Sequence, residues 1–207
     1  MRSDLPTGEL ESALKSQGYV LVAGVDEVGR GSWAGPVVAA AVILPDAINI
    51  EGVRDSKLLS IGQRIRLASQ IKRGAKAVGI GWVSPKEVDE HGLSWAIRQS
   101  GERALQDMTL TCEAVILDGK HNYLQSTYYS QAFVKADVHC ISVACASIVA
   151  KVARDSYMQQ MHRLYPEYNF ASNKGYGTVD HRRALAVGVS PLHRLSWKPL
   201  SGMPSAE

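Results

Sequence analysis

A chain of 207 residues with 45% hydrophobic and 21% charged side chains is long enough to bury a sizeable core. Its longest apolar run, Val37 to Leu44, falls far short of the roughly 20 residues a membrane helix needs, and a net charge of +3 with a pI near 8.7 suits a polyanionic partner without demanding one. Three cysteines with no C-x-x-C pair argue against a disulfide framework or a zinc knuckle; with no apolar signal core in Met1 to Leu10, they point to a soluble protein of a reducing cytoplasm.

In chain order, short β-branched runs predict strands at Tyr19 to Val25, Val37 to Leu44, Ala77 to Val83 and Ala114 to Leu117, with a weaker fifth at Gln131 to Lys135. Gly29, Gly31, Gly35 and Pro36 punctuate the segment between the first two, which should form a hairpin. Ser60 is a plausible N-cap for a helix over Ile61 to Arg73, with Ile61, Ile65 and Ala68 on its apolar face. Pro85 to Met108 predicts one longer helix with Leu93, Ile97, Ala104, Leu105 and Met108 on a stripe. Ile141 to Tyr165 repeats the pattern with Ile141, Cys145, Ile148 and Val152, and a last short helix is expected near Val179 to Val187. Hairpin strands followed by strands separated by helices imply an α/β or α+β sandwich on a mixed sheet. One domain over residues 1–207 is expected, its core at about 19–165 and a basic helical portion at about 166–200, with the last seven residues frayed.

Three candidate acids close apolar strands: Asp26 and Glu27 the first, Asp118 the fourth. Side chains at the carboxyl ends of strands gather where ligands bind, and Asp137, between the fifth strand and the long helix, can reach the same crevice. Clustered carboxylates repel one another unless a cation lies between them, and hard oxygen ligands favour Mg²⁺ or Mn²⁺ over zinc. Two such ions suit phosphodiester hydrolysis by external water. Each acid also has a plainer reading. Asp118-Gly119 is a good turn dipeptide, Asp137 suits a helix entry, and only the adjacent pair Asp26-Glu27 before Val28-Gly29-Arg30-Gly31 favours function by itself. The scattered histidines form no ligand pair on a helix and read as surface or hydrogen-bonded structural groups, and the sequence does not place His181. A P-loop of the G-x-x-x-x-G-K-[ST] type is missing, which sets aside an NTPase.

Six segments in order resemble the ribonuclease HII family: Asp26 to Gly31, Asp55-Ser56-Lys57, Leu117-Asp118-Gly119, Ala146 to Lys151, Lys174 to Thr178, and His193 to Trp197. The resemblance implies a ribonuclease H-like fold with a mixed five-stranded sheet flanked by helices and a small helical C-terminal portion. It implies an endoribonuclease that cuts the RNA strand of RNA/DNA hybrids and acts 5′ of single ribonucleotides in duplex DNA, leaving 5′-phosphate and 3′-hydroxyl ends. It also implies that Asp26, Glu27, Asp118 and Asp137 hold two ions, Mg²⁺ or Mn²⁺, and that Gly29, Arg30, Gly31 and Tyr176 sense the ribose, whose 2′-hydroxyl both donates and accepts. Read without the family, the glycines are a hairpin loop and Tyr176 an exposed aromatic. Lys57 and Lys174 would contact phosphates, which positions a duplex without reading its sequence, whereas Ser147 and Lys151 read as helix-face structure. The chain departs from the family at Ala136-Asp137-Val138-His139-Cys140, which lacks the usual Gly-Asp start, and at Cys145, which replaces an alanine. Two alternatives remain: a ribonuclease HIII-like enzyme, disfavoured by the short segment before the first strand and by the presence of Gly29-Arg30-Gly31, and a non-catalytic hybrid-binding module. A monomer is expected, with no clamp-binding peptide evident in Leu200 to Glu207.

Overall fold

The computed structural model describes residues 5–46, 50–54, 56–125, 128–198 and 200–203; Asp55 and the end of the tail expected to fray, residues 204–207, lie outside them. The first element is a helix that the sequence reading did not anticipate, α1 (Glu9–Ser16). Its Glu11 carboxylate accepts hydrogen bonds from the Ser142 amide at 2.8 Å and the Cys140 thiol at 3.0 Å, tying the chain start to the beginning of a long helix described below. Two antiparallel strands follow, β1 (Val22–Val28) and β2 (Val37–Ile43), in register from Ala23 opposite Ile43 to Val28 opposite Val38. The hairpin is therefore as expected, but β1 starts and ends three residues later than predicted. Asp26 and Glu27 thus lie within the ladder, opposite Ala40 and Ala39.

Helix α2 (Ile61–Gly74) begins at Ser60, whose side chain and that of Gln63 form a reciprocal capping box. Its buried face is Leu67, Ala68 and Ile71. Ile61 and Ile65, expected on that face, are instead 65% and 56% exposed, because the helix meets its neighbour only from its second turn onward. After β3 (Ala77–Val83), the single helix predicted over Pro85 to Met108 is two, α3 (Pro85–His91) and α4 (Leu93–Asp107). Gly92 breaks it with φ 82° and ψ 164°, a conformation almost confined to glycine.

The sheet is completed by β4 (Ala114–Asp118) and β5 (Tyr129–Phe133), the latter two residues earlier than predicted, and its strand order is β3-β2-β1-β4-β5. β1 and β4, and β4 and β5, pair parallel, whereas the hairpin and β3 pair antiparallel. A short helix, α5 (Ala136–His139), leads into α6 (Ile141–Leu164). Every residue of α6 from Ser142 to Ala150 is buried, since that segment lies between the sheet on one side and α2 on the other. Gly24 lets it approach closely: a Cβ there would collide with Ser142 and Val143. Helix α4 covers the opposite sheet face, with Ala104 and Leu105 packed on β1, β2 and β4 residues.

The C-terminal portion, with α7 (Phe170–Asn173) and α8 (Val179–Ala184), forms its own apolar cluster against the end of α6, centred on Met158, Phe170 and Leu200. No helix among the described residues is long and apolar enough to cross a membrane.

Candidate active site

Alternation along β1 sends its two acids to opposite faces of the sheet at its carboxyl end. Asp26 turns toward α6, where the Ser147 hydroxyl hydrogen-bonds its carboxylate, and Ser147 in turn meets the Ser56 hydroxyl at 3.0 Å. Glu27 turns the other way. Its Oε1 accepts from Arg30 Nη1 at 3.0 Å and its Oε2 from the Tyr123 hydroxyl at 3.2 Å. Asp118, the last residue of the parallel neighbour β4, accepts the Ala136 amide at 2.8 Å and so caps α5, in whose first turn Asp137 sits. Asp137 thus has the helix-entry position of its plainer reading, while Asp118 closes β4 and holds the start of α5, and the two carboxylates stand at the same mouth. Lys57 Nζ reaches to 3.5 Å from Asp137 Oδ2.

The four acids, Ser56, Lys57 and Ser147 line one cavity of about 320 Å³, together with Gly29, Arg30, Lys151 and Tyr176. Of the residues singled out in the sequence for the site, Gly31 and Lys174 are not part of its wall; Gly31 is exposed and a Cβ there would meet nothing. Gly29 has a different reason from the one its sequence suggests. At φ 90° a side chain is strained, and a Cβ would strike Arg154 and stand 2.7 Å from the Pro36 carbonyl. A larger hollow, about 490 Å³, lies beneath α1 at the other end of α6, but its walls are mainly aliphatic with one Lys15–Asp46 ion pair, and no candidate acid reaches it.

Burial pushes the Asp26 carboxyl well above its usual range, and the neighbouring Glu27, Asp118 and Asp137 charges push it further against the Ser147 hydrogen bond. Burial also raises Glu27, opposed chiefly by Arg30 and Tyr123, and raises Asp118, where Asp137 adds to the effect and the Ala136 amide and Lys57 oppose it. Tyr123 is itself held well above 10 by burial and by Glu27, so it stays a donor. These carboxylates therefore sit close enough to suppress one another's ionisation, which a divalent cation would relieve. Among the described residues no three His, Cys, Asp or Glu side chains are already drawn into metal-ligand geometry. Hard oxygen donors on two strand ends and a helix entry, with no histidine among them, nonetheless fit Mg²⁺ or Mn²⁺.

The sequence reading missed the supports beneath this site. Arg154, fully buried on α6, donates to the carbonyls of Pro36, Ala34 and Lys174 and to the Ser32 hydroxyl, and its guanidinium lies 5.5 Å from the centre of the Tyr176 ring. Arg194, also fully buried, donates to the Gly35 and Arg30 carbonyls, so the two arginines fasten the loop after β1 to the segment carrying Tyr176. His181 and His193 are buried beside it. The Ser190 amide donates to His193 Nδ1 at 2.8 Å, so His193 carries its proton on Nε2 and gives it to His181 Nε2 at 3.0 Å. His181 Nδ1–H then donates to the Tyr176 carbonyl at 2.9 Å. Ser147 and Lys151, read as helix-face structure, line the cavity, and Tyr123 does not stand out in the sequence, since nothing in Lys120-His121-Asn122 before it indicates a site.

A mixed sheet in this order, with acids converging where its central parallel strands end, defines a ribonuclease H-like fold. The model of the family Ribonuclease HII matches residues 23–200. A Ribonuclease HII of Roseiflexus castenholzii is 43% identical over 213 aligned residues, covering 100% of this chain and 94% of that protein, and one of Streptomyces avermitilis is 42% identical over 201, covering 96% and 86%. Among solved structures, ribonuclease H2 from Pyrococcus horikoshii superposes with a TM-score of 0.75 at 28% identity, covering 87% of this chain and 95% of that one. The chain belongs to the ribonuclease HII family, and is accordingly a ribonuclease, a hydrolase of phosphodiester bonds.

Proposed function

We propose that this chain hydrolyses the RNA strand of RNA/DNA hybrids and nicks duplex DNA on the 5′ side of a single ribonucleotide, leaving a 5′-phosphate and a 3′-hydroxyl. Two divalent ions, Mg²⁺ or Mn²⁺, are held by Asp26, Glu27, Asp118 and Asp137. The observation that carries the reading is one cavity that joins these carboxylates to the Gly29-Arg30 backbone and the Tyr176 ring. When bound, the ions supply Lewis-acid stabilisation to the oxygens of a phosphodiester displaced by water.

The rest of the task falls to the chain itself. Main-chain groups at Gly29 to Gly31 approach the ribose, and the open space at Gly31 leaves room for a sugar edge. Tyr176, backed by the Arg154 guanidinium, packs against the sugar of the following nucleotide. Arg30 and Lys57 are exposed at their outer ends and take phosphate oxygens, while Tyr123 holds the orientation of Glu27.

The test is cleavage of an end-labelled DNA duplex with one ribonucleotide, beside an all-DNA control, in Mg²⁺, Mn²⁺ or chelator. Metal-dependent cutting 5′ of the ribonucleotide with an intact control is expected; binding without cutting in either metal would favour a hybrid-binding module instead. Asp118→Asn keeps an acceptor for the Ala136 amide and should abolish cleavage while preserving fold and duplex binding. Full activity of that variant would refute the metal assignment.

A further inference from the structure

The candidate site accounts for one nucleotide and its neighbours, but a strongly asymmetric surface begins at its rim. From Ser56 to Lys86 the sequence contains no acidic residue, although the chain as a whole has 20, and it holds seven of the 23 lysines and arginines. Most of them fall on or beside α2, which has Arg64, Arg66, Lys72 and Arg73 and no acid. Arg66, Lys72 and Arg73 are exposed, and among the described residues none of them has a carboxylate within ion-pair distance.

Helical geometry gathers these cations on one side. At about 100° per residue Arg66 and Arg73 nearly coincide in direction, Lys72 lies within about 120° of both on the outward face, and the buried line of Leu67, Ala68 and Ile71 lies opposite. Ile61 and Ile65, uncovered at the first turn, stand exposed at the border between that face and the buried line, and Leu58 just before the helix is 65% exposed. Cations without acids, beside exposed aliphatic groups, suit a sugar–phosphate surface, which presents anionic oxygens beside apolar sugar edges.

Position supports the same occupant. Lys57, in the turn that leads into α2, is part of the cavity wall, and Arg64 in the first turn of the helix donates to the carbonyls of Ser56 at 2.9 Å and Leu59 at 2.7 Å. Arg64 and Lys151 are also close enough to Lys174 for their charges, after burial, to help lower its pKa, so a group of cations spans α2, α6 and the Tyr176 segment at the rim. Fourteen residues of helix reach about 21 Å, the length of roughly six base pairs.

We propose that the outward face of α2 is an extension of the substrate interface, binding the phosphate backbone of the duplex that flanks the cleaved nucleotide on one side. This rests on the reading of the chain as a duplex-cutting ribonuclease. It adds a footprint that the carboxylate cavity does not require, and a duplex that stops short of α2 loses its contribution.

The test compares Arg66→Gln with Arg73→Gln as a double variant against a control double of equal charge change, Lys86→Gln with Arg163→Gln, placed on other helices. Duplexes with one ribonucleotide are trimmed from either end in turn, and binding is read by fluorescence anisotropy across a salt series, with thermal melts confirming that both doubles fold. The wild type and the control should lose affinity several-fold when one particular flank falls below about six base pairs. The α2 double should already bind the long duplex as weakly as the trimmed one, with a salt slope flatter by about 0.9 for each contact removed, and should be indifferent to trimming. Equal losses in the two doubles, or an α2 double with wild-type affinity and length dependence, would overturn the inference and leave the face to a protein partner or a second copy. Because binding is measured without cleavage, a chain that binds with this footprint but never cuts would refute the proposed activity and not the interface.

Discussion

Asp26 is stabilised by little that the protein itself supplies. A buried carboxyl whose pKa is raised binds its proton more tightly in the folded state than in the unfolded one, so its contribution to stability is favourable at acid pH and declines as pH rises from the unfolded value of about 3.9 through the folded one. Without a cation Asp26 is therefore a source of strain at neutral pH, which the proposed metal ions would relieve. Asp26→Asn should raise the melting temperature of the chelator-treated protein at pH 7 while abolishing cleavage, and divalent ions should raise the melting temperature of the wild type but not of the variant. Calorimetry with and without chelator checks both halves, and a variant that melts lower than wild type in chelator would contradict the account. Tyr176 makes the complementary case, since its ring is backed by Arg154 and its carbonyl is held by His181. Tyr176→Ala should weaken discrimination for a ribonucleotide over deoxyribonucleotide more than overall duplex affinity. A uniform loss across both substrates in a binding and cleavage series would count against its sugar-packing role.

At the scale of elements, close approach decides what the helices can do. Helix α4 lies so near β3 that a Cβ on Gly81 would collide with the Ser100 carbonyl, and one on Gly79 with that of Ala104. Gly81→Ala should cost about 3 kcal/mol, at the upper end for overpacking, and chemical denaturation would measure it. A cost below about 0.5 kcal/mol, no larger than that of an ordinary surface change, would mean that α4 can retreat. The same elements mark what the sequence made legible. The strand runs and the pattern of α6 were readable because one-sided or complete burial writes itself into period and hydrophobicity, and eight of the ten residues given site roles from the motifs share one cavity wall. Gly92 was not readable as a break, because an isolated glycine in a helical pattern also occurs as a small propensity cost, and its backbone conformation appears only in three dimensions. The buried face of α2 was misread because Ile61 and Ile65 match the period, while the neighbour they would need lies further along. Arg154, Arg194 and Tyr123 were invisible for a related reason: their partners are backbone carbonyls or a carboxylate far away in the chain, and no local pattern encodes that.

For the whole molecule the decisive junction is between the sheet core and the C-terminal cluster, because Tyr176 belongs to the second and the carboxylates to the first. Two fully buried guanidiniums cross that junction, and so does the hydrogen-bonded chain from Ser190 through His193 and His181 to Tyr176. That chain requires both imidazoles neutral: a proton added to His181 would set two N–H groups against each other at the 3.0 Å contact, and one added to His193 would set its Nδ1–H against the Ser190 amide at 2.8 Å. Burial lowers the pKa of His193 to about 4, with the His181 charge adding to the effect, and burial likewise lowers that of His181. A histidine with a depressed folded pKa is protonated more readily in the unfolded state, so its contribution is fully present above about 6.5 and is lost as pH falls through that value toward about 4. The cluster should therefore loosen from the core on acidification before the sheet unfolds. Trp33 reports on this directly, since its ring centre lies 5.7 Å from that of His181 and Gly177 packs against it. Its fluorescence should change between pH 6.5 and 4 while far-ultraviolet circular dichroism holds, the change should vanish in Trp33→Phe, and His193→Phe should show the loosened signal already at pH 7. Coincident transitions by both probes would instead mean that core and cluster unfold as one unit, with the histidine chain setting the stability of the whole.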